Sequence, residues 1–162
     1  MNMLVLGIGN TLLQDEGTGI HVLEALRERY PEPEGVNYVD GGTLSFTLAG
    51  MVEDCDSLIV IDAAQLKQTP GSMACLVGEE MDHFLGQGKR SVHEVGLLDL
   101  LDMARLAGRL PERRALVGIQ PEVIDWGEQP SPAVNQAIPA AVELIIKLME
   151  RWSSNHAVAS GQ

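Results

Sequence analysis

Ser57-Leu58-Ile59-Val60-Ile61-Asp62-Ala63-Ala64 is the stretch that decides the fold. Its leucine and β-branched side chains follow one another without period-two alternation, which suits a strand buried on both faces of a parallel sheet. A carboxylate, Asp62, arrives as the apolar run gives out, and open α/β sheets bind their ligands at that end of the strands. Two other stretches reach polar residues in a comparable setting. Met3-Leu4-Val5-Leu6-Gly7-Ile8 leads to Asp15-Glu16, and Ser91-Val92-His93-Glu94 opens a helix. Glu16, Asp62 and His93 are therefore expected to meet over one edge of the sheet as a metal-reading site.

Working outward, the remaining elements alternate strand and helix. Strand one, Met3 to Ile8, ends at Gly9-Asn10, and Asp15 reads as the N-cap of a helix with Ile20, Leu23 and Leu26 inward. That helix stops near Tyr30-Pro31. Val36 to Asp40 reads as a strand broken by Gly41-Gly42, and Phe46, Leu48, Ala49 and Val52 as a short helix. After the turn at Pro70-Gly71 comes a strand over 72–77, and the polar segment 78–90 reads as a surface helical turn and a connection. Ser91 and Glu94 form a capping box for a helix that buries Leu97, Leu98, Leu101 and Leu106.

Arg114 to Ile119 reads as the fifth strand. Ser131-Pro132 then caps a long helix whose apolar stripe runs from Val134 to Trp152, with a kink expected at Pro139. Residues 1–152 are expected to form one domain, and the unpatterned segment 153–162 a disordered tail. Strands alternating with helices imply an α/β fold, a largely parallel sheet with helices on both faces.

Composition sets the limits of function. The chain has 162 residues, 45% of them apolar, enough for one domain with a sizeable core. A formal net charge of −12, with only 11 scattered basic residues, argues against nucleic acid or an anionic membrane face as partner. Two cysteines without CxxC spacing point to a reducing, cytoplasmic setting. The amino terminus enters a strand without a basic or long apolar leader, so neither export nor membrane insertion is expected. A monomer is expected.

Two carboxylates and an imidazole suit a borderline divalent ion, with cadmium, zinc and nickel all compatible. A histidine in the first turn of a helix is favoured in the neutral form that a metal requires, because the partial positive charge at the helix start disfavours imidazolium. The structural alternatives stand beside this. Asp15 reads more readily as a cap than as a ligand, Glu16 as a solvated first-turn acid, Asp62 as a cap of the following loop, and His93 as part of its capping turn.

Leu6-Gly7-Ile8-Gly9-Asn10-Thr11-Leu12 with Asp15-Glu16-Gly17-Thr18-Gly19, then Asp40-Gly41-Gly42-Thr43, Val60-Ile61-Asp62-Ala63, His93-Glu94-Val95-Gly96-Leu97 and Val117-Gly118-Ile119-Gln120-Pro121-Glu122 resemble the hydrogenase maturation proteases over nearly the whole chain. The resemblance implies an endopeptidase that removes the C-terminal extension of a nickel-iron hydrogenase large-subunit precursor after nickel insertion. It implies a three-layer αβα sandwich with a twisted five-stranded sheet and one antiparallel strand, for which the fourth is the candidate. Glu16, Asp62 and His93 match the family's metal-binding positions, with nickel arriving on the precursor. Asp40, Gly41, Gly42 and Thr43 are candidates for the substrate side of the cleft. The chain departs from the family pattern at Thr43-Leu44-Ser45-Phe46, where members commonly carry glycine, so the identity of the client is open.

Other protease chemistries lack their signatures, with no HExxH helix and no GxSxG elbow. Asp40-Gly41-Gly42-Thr43 is superficially similar to an aspartic-protease turn, but it has no second copy. Two competing readings remain. One is a nucleotide-binding Rossmann-like module built on Gly7-Ile8-Gly9, although Leu12 stands where the third fingerprint glycine belongs. The other is a non-catalytic nickel-dependent assembly factor using the same three ligands.

Overall fold

The computed structural model describes residues 2–42, 47–87 and 92–160, with the side chains of 92–95 and 155–160 outside the description. Five strands form one sheet in the order β2-β1-β3-β5-β4. They are β1 (Met3–Ile8), β2 (Val36–Gly42), β3 (Ser57–Ala63), β4 (Met73–Val77) and β5 (Arg113–Ile119). β1 pairs in parallel with β2 and β3, and β3 with β5. β4 runs antiparallel to β5, so the fourth strand is the reversed one.

Alternate residues of the central strands feed two separate cores, as the pleat requires. Met3, Val5, Ile59, Ile61, Val117 and Ile119 face α1 (Thr18–Arg29) and α5 (Pro132–Ser160), where Val22, Leu26, Ile145 and Met149 close the layer. Leu4, Leu6, Val60 and Leu116 face the other way, onto α2 (Leu48–Asp54), α3 (Glu79–Gly86) and α4 (Val92–Leu106), with Val52, Met81, Leu85, Leu97 and Leu101 between them. This gives the three-layer αβα sandwich, and it explains why the central strands read as continuous apolar runs: both of their faces are covered.

The helices on both sides run back along the strands. Arg113 at the start of β5 donates to the Trp152 carbonyl (2.6 Å), so the body of α5 returns from the carboxyl end of the sheet to the amino end. Arg109, just after α4, pairs with Asp54 at the end of α2 (3.7 Å), three residues before β3 begins. The carboxyl end of α4 therefore lies at the amino end of the strands. At 1.5 Å per residue its 15 residues span about 22 Å, close to the length of a seven-residue strand, which brings its first turn to the carboxyl rim.

Several expectations are corrected. The segment 78–90 contains a true helix, α3, whose Met81 and Leu85 are fully buried and whose Asp82 takes a two-pronged ion pair from Arg114 of β5 (2.9 and 2.5 Å). Two apolar residues at helical spacing were enough to anchor an otherwise polar stretch. β2 continues through Gly41-Gly42 instead of breaking there. Its register slips by one residue between Gly7 and Ile8, so the pair is accommodated as a bulge. α5 runs to Ser160, beyond Trp152 where an unpatterned tail was expected, since extending an existing helix costs little once the packed part has nucleated it. Pro139 lies inside α5, where it removes one N–H from the ladder. Phe46 and the capping serine Ser91 lie outside the described residues. Among the described residues no helix is long and apolar enough to cross a membrane.

Candidate active site

The connection from β1 to α1 builds one side of the site through close backbone contact. Gly9 has φ of +140°, and a Cβ there would sit 2.0 Å from the Glu16 carbonyl oxygen. Only glycine can take that backbone and let the following turn lie so near. The turn itself, Gln14–Gly17, is a single 3-10 turn, pinned by Asn10 N donating to Glu16 O (3.2 Å) and Glu16 N donating to Leu13 O (3.2 Å). Gly9 N in turn donates to Gly42 O (3.0 Å), so the end of β2 with Asp40 and the bulge sits across the same glycine from Glu16.

One turn later Gly19 closes the junction on β3. A side chain there would come within 2.2 Å of Ile61 O and 2.3 Å of Ile8 O. The start of α1 is thus seated on the last residues of both strands, next to Asp62. Asp62 is 2% exposed and aligned with Gly118 of β5, while Glu16 is half-buried. The backbones that carry Glu16 and Asp62 thus meet at one rim, and carboxylates have donor chemistry that suits a divalent cation.

His93 is the second residue of α4, whose first turn returns to that rim by the argument of length and direction given above. Its side chain, and all of Thr43, lie outside the described residues. Among the described residues no three His, Cys, Asp or Glu side chains form a metal-sized cluster. Asp40 is exposed, and its Oδ1 accepts from Gly42 N (2.8 Å), a local turn bond of the kind aspartate commonly makes.

Asp15 is not the helix cap that the sequence suggested. Gly17 occupies that position, and Asp15 is 0% exposed. Its carboxylate accepts from Glu122 N (2.8 Å), Val123 N (2.9 Å), Ser131 N (2.7 Å) and Ser131 Oγ (2.7 Å). Burial pushes its pKa up, but these bonds to the charged form outweigh burial and hold it below the usual carboxylate value. With both oxygens engaged, Asp15 serves as a clamp between the start of α1 and the β5–α5 loop. The clamp was missed because its partners lie more than a hundred residues away in sequence. Ser131, read only as a cap, does cap α5 by accepting from Val134 N (3.4 Å), and it also donates to Asp15.

Two competing chemistries fit poorly. Burial beside Asp56 pushes the Cys55 thiol up to about 12, and burial raises Cys75 as well, so neither supplies a thiolate near neutral pH. Gly17, Thr18 and Gly19 are all buried at the start of α1, which leaves no open helix terminus for a dinucleotide pyrophosphate. A cleft of about 560 Å³ between residues 53–57 and 109–113 lies at the opposite, amino rim, away from these carboxylates.

The family model for hydrogenase maturation proteases matches residues 20–148. This chain belongs to that family. As a hydrogenase maturation protease it is an endopeptidase with many similar relatives. It is 40% identical to the hydrogenase 2 maturation protease of Escherichia coli (strain K12) over 147 residues, which cover 90% of this chain and 89% of that protein. It is 38% identical to the hydrogenase expression/formation protein HupD of Rhizobium leguminosarum bv. viciae over 151 residues, 93% of this chain and 75% of that one. Among solved structures, the hydrogenase maturating endopeptidase HybD from E. coli superposes with a TM-score of 0.88 at 38% identity, covering 93% of each chain. The [NiFe] hydrogenase maturation protease HybD from Thermococcus kodakarensis gives 0.77 at 32%, covering 91% of this chain and 99% of that one.

Proposed function

We propose that this maturation protease removes the C-terminal extension of a nickel-iron hydrogenase large-subunit precursor once nickel has been inserted, and that Glu16, Asp62 and His93 are the residues that read the metal. The observation that carries the reading is the glycine-packed junction of β1, β3 and α1, where Gly9 packs on the Glu16 backbone and Gly19 on the Ile61 carbonyl, one residue before Asp62. Nickel here is cargo of the substrate, and it would polarise a nearby carbonyl when presented. The chain's own part is to offer two anionic oxygens and a neutral imidazole from fixed backbone positions. His93 contributes from a helix start, where the local dipole disfavours its protonated form. Precursor without metal lacks the contact that registers the scissile bond, so cleavage waits on loading.

On the substrate side, Asp40, Gly41 and Gly42 end β2 across Gly9 from Glu16, with Asp40 exposed, and Thr43 is assigned with them by its place in the Asp40-Gly41-Gly42-Thr43 motif. The bulge in β2 supports this assignment, because it breaks the regular register of the edge strand beside Gly7 and Ile8, next to the turn that carries Glu16.

The test mixes purified protein with nickel-loaded precursor and follows release of the extension by mass spectrometry. Glu16→Gln, Asp62→Asn and His93→Ala are each expected to abolish release while leaving the circular dichroism spectrum intact. Unchanged processing in all three would remove the site assignment, and equal processing of metal-free precursor would remove the role of nickel.

A further inference from the structure

Beyond the rim, two chain segments far apart in sequence present large apolar side chains side by side. Trp126 is 79% exposed, Ile124 53% and Leu12 50%. They are neighbours because Gly127 N donates to Leu12 O (2.9 Å) and Gln14 N to Gly127 O (2.8 Å), a short parallel bridge that lays the β5–α5 loop against the 3-10 turn. The four bonds to Asp15 then lock the loop in place. Scattered apolar residues on a surface need no explanation, but a set drawn together by a backbone bridge, a tryptophan among them, does. Trp152, the other tryptophan of the chain, is buried in the core.

We infer that Leu12, Ile124 and Trp126 form a docking patch for a segment of the precursor that carries aliphatic and basic side chains. The charge around it selects such a partner. Exposed Glu122, Asp125 and Glu128 alternate with the apolar residues along the same loop, and the whole chain carries a net charge of −12. An acidic rim around an apolar centre attracts a basic, partly apolar polypeptide and repels an acidic one. The patch continues into the candidate site, since Leu12 stands four residues before Glu16, just ahead of the clamped turn. Because the loop is held rigid before the partner arrives, little ordering is needed on binding. A tryptophan presented in this way is the residue type that most often dominates such contacts. This inference rests on the precursor-processing reading, and its test separates the two.

Full-length protein is assayed with nickel-loaded precursor, with Trp126→Ser, Ile124→Ser and, as a control, Leu106→Ser. Leu106, expected from its spacing to face inward, is instead exposed at the carboxyl end of α4, on the opposite rim. Each patch variant is expected to raise KM about tenfold with little change in kcat, and Trp126→Phe to recover most of the loss. The control is expected to match wild type. Precursor binding should shift Trp126 fluorescence to the blue, while buried Trp152 stays silent, and the shift should weaken as salt rises. KM unchanged in both patch variants, or a wild-type dimer that Trp126→Ser converts to monomer, overturns the inference. If wild-type protein releases no extension, the processing reading fails, and the fluorescence shift on precursor addition still decides the patch on its own.

Discussion

Asp15 shows how far a residue's role can depart from its local signature. An acid ahead of a helix normally caps it, yet here it is buried and satisfied by four donors from a loop more than a hundred residues away in sequence. Asp15→Asn would turn one acceptor toward donors, and is expected to cost about 2–4 kcal/mol at neutral pH in urea unfolding. The sign with pH is fixed. The folded-state pKa lies below the unfolded value, so the stabilisation is complete above the unfolded pKa and is lost as pH falls through the folded one. The gap between wild type and variant should therefore close below about pH 4. A gap independent of pH would show that the charge itself contributes nothing.

At the scale of the element, two helix glycines make opposite predictions. Gly19 of α1 has no room for a Cβ, since the atoms it would strike are strand carbonyl oxygens that cannot move aside, and Gly19→Ala is expected to destabilise by at least about 3 kcal/mol. Gly50 of α2 is exposed with open space around it, so Gly50→Ala should stabilise by about 0.5–1 kcal/mol. Thermal unfolding of the two variants checks both. The same scale explains what could be read from the residues alone. β1, β3 and β5 were legible because burial on both faces leaves an unbroken apolar run, and α1 and α5 because their inward residues recur at helical spacing. α3 was not, since its burial rests on only Met81 and Leu85 amid acidic neighbours. The bulge at Gly41-Gly42 looked like a strand end because a glycine pair signals a break, while its pairing with Ile8 is set by a neighbouring strand. For the site, residue types and their order along the chain pointed to Glu16 and Asp62. The packing of Gly9 on the Glu16 carbonyl and of Gly19 on the Ile61 carbonyl depends on contacts no local pattern records.

For the whole molecule, the arrangement divides labour between the two ends of the sheet. The carboxyl rim carries Glu16, Asp62, the bulge of β2 and the first turn of α4, while the amino rim is tied by the Arg109–Asp54 and Arg113–Trp152 contacts. A chain ended at Pro121 would keep all five strands but lose α5, the partners of Asp15 and one wall of the core. Such a fragment is expected to lack a cooperative unfolding transition by circular dichroism; a sharp transition near that of the full chain would contradict this. The bond from Ser131 to Asp15 joins positions 116 residues apart. During synthesis the first of them leaves the ribosome long before the second, so the rim cannot set until most of the polypeptide has been made. A nascent protease is thereby kept harmless to its neighbours by the order in which its own parts are born.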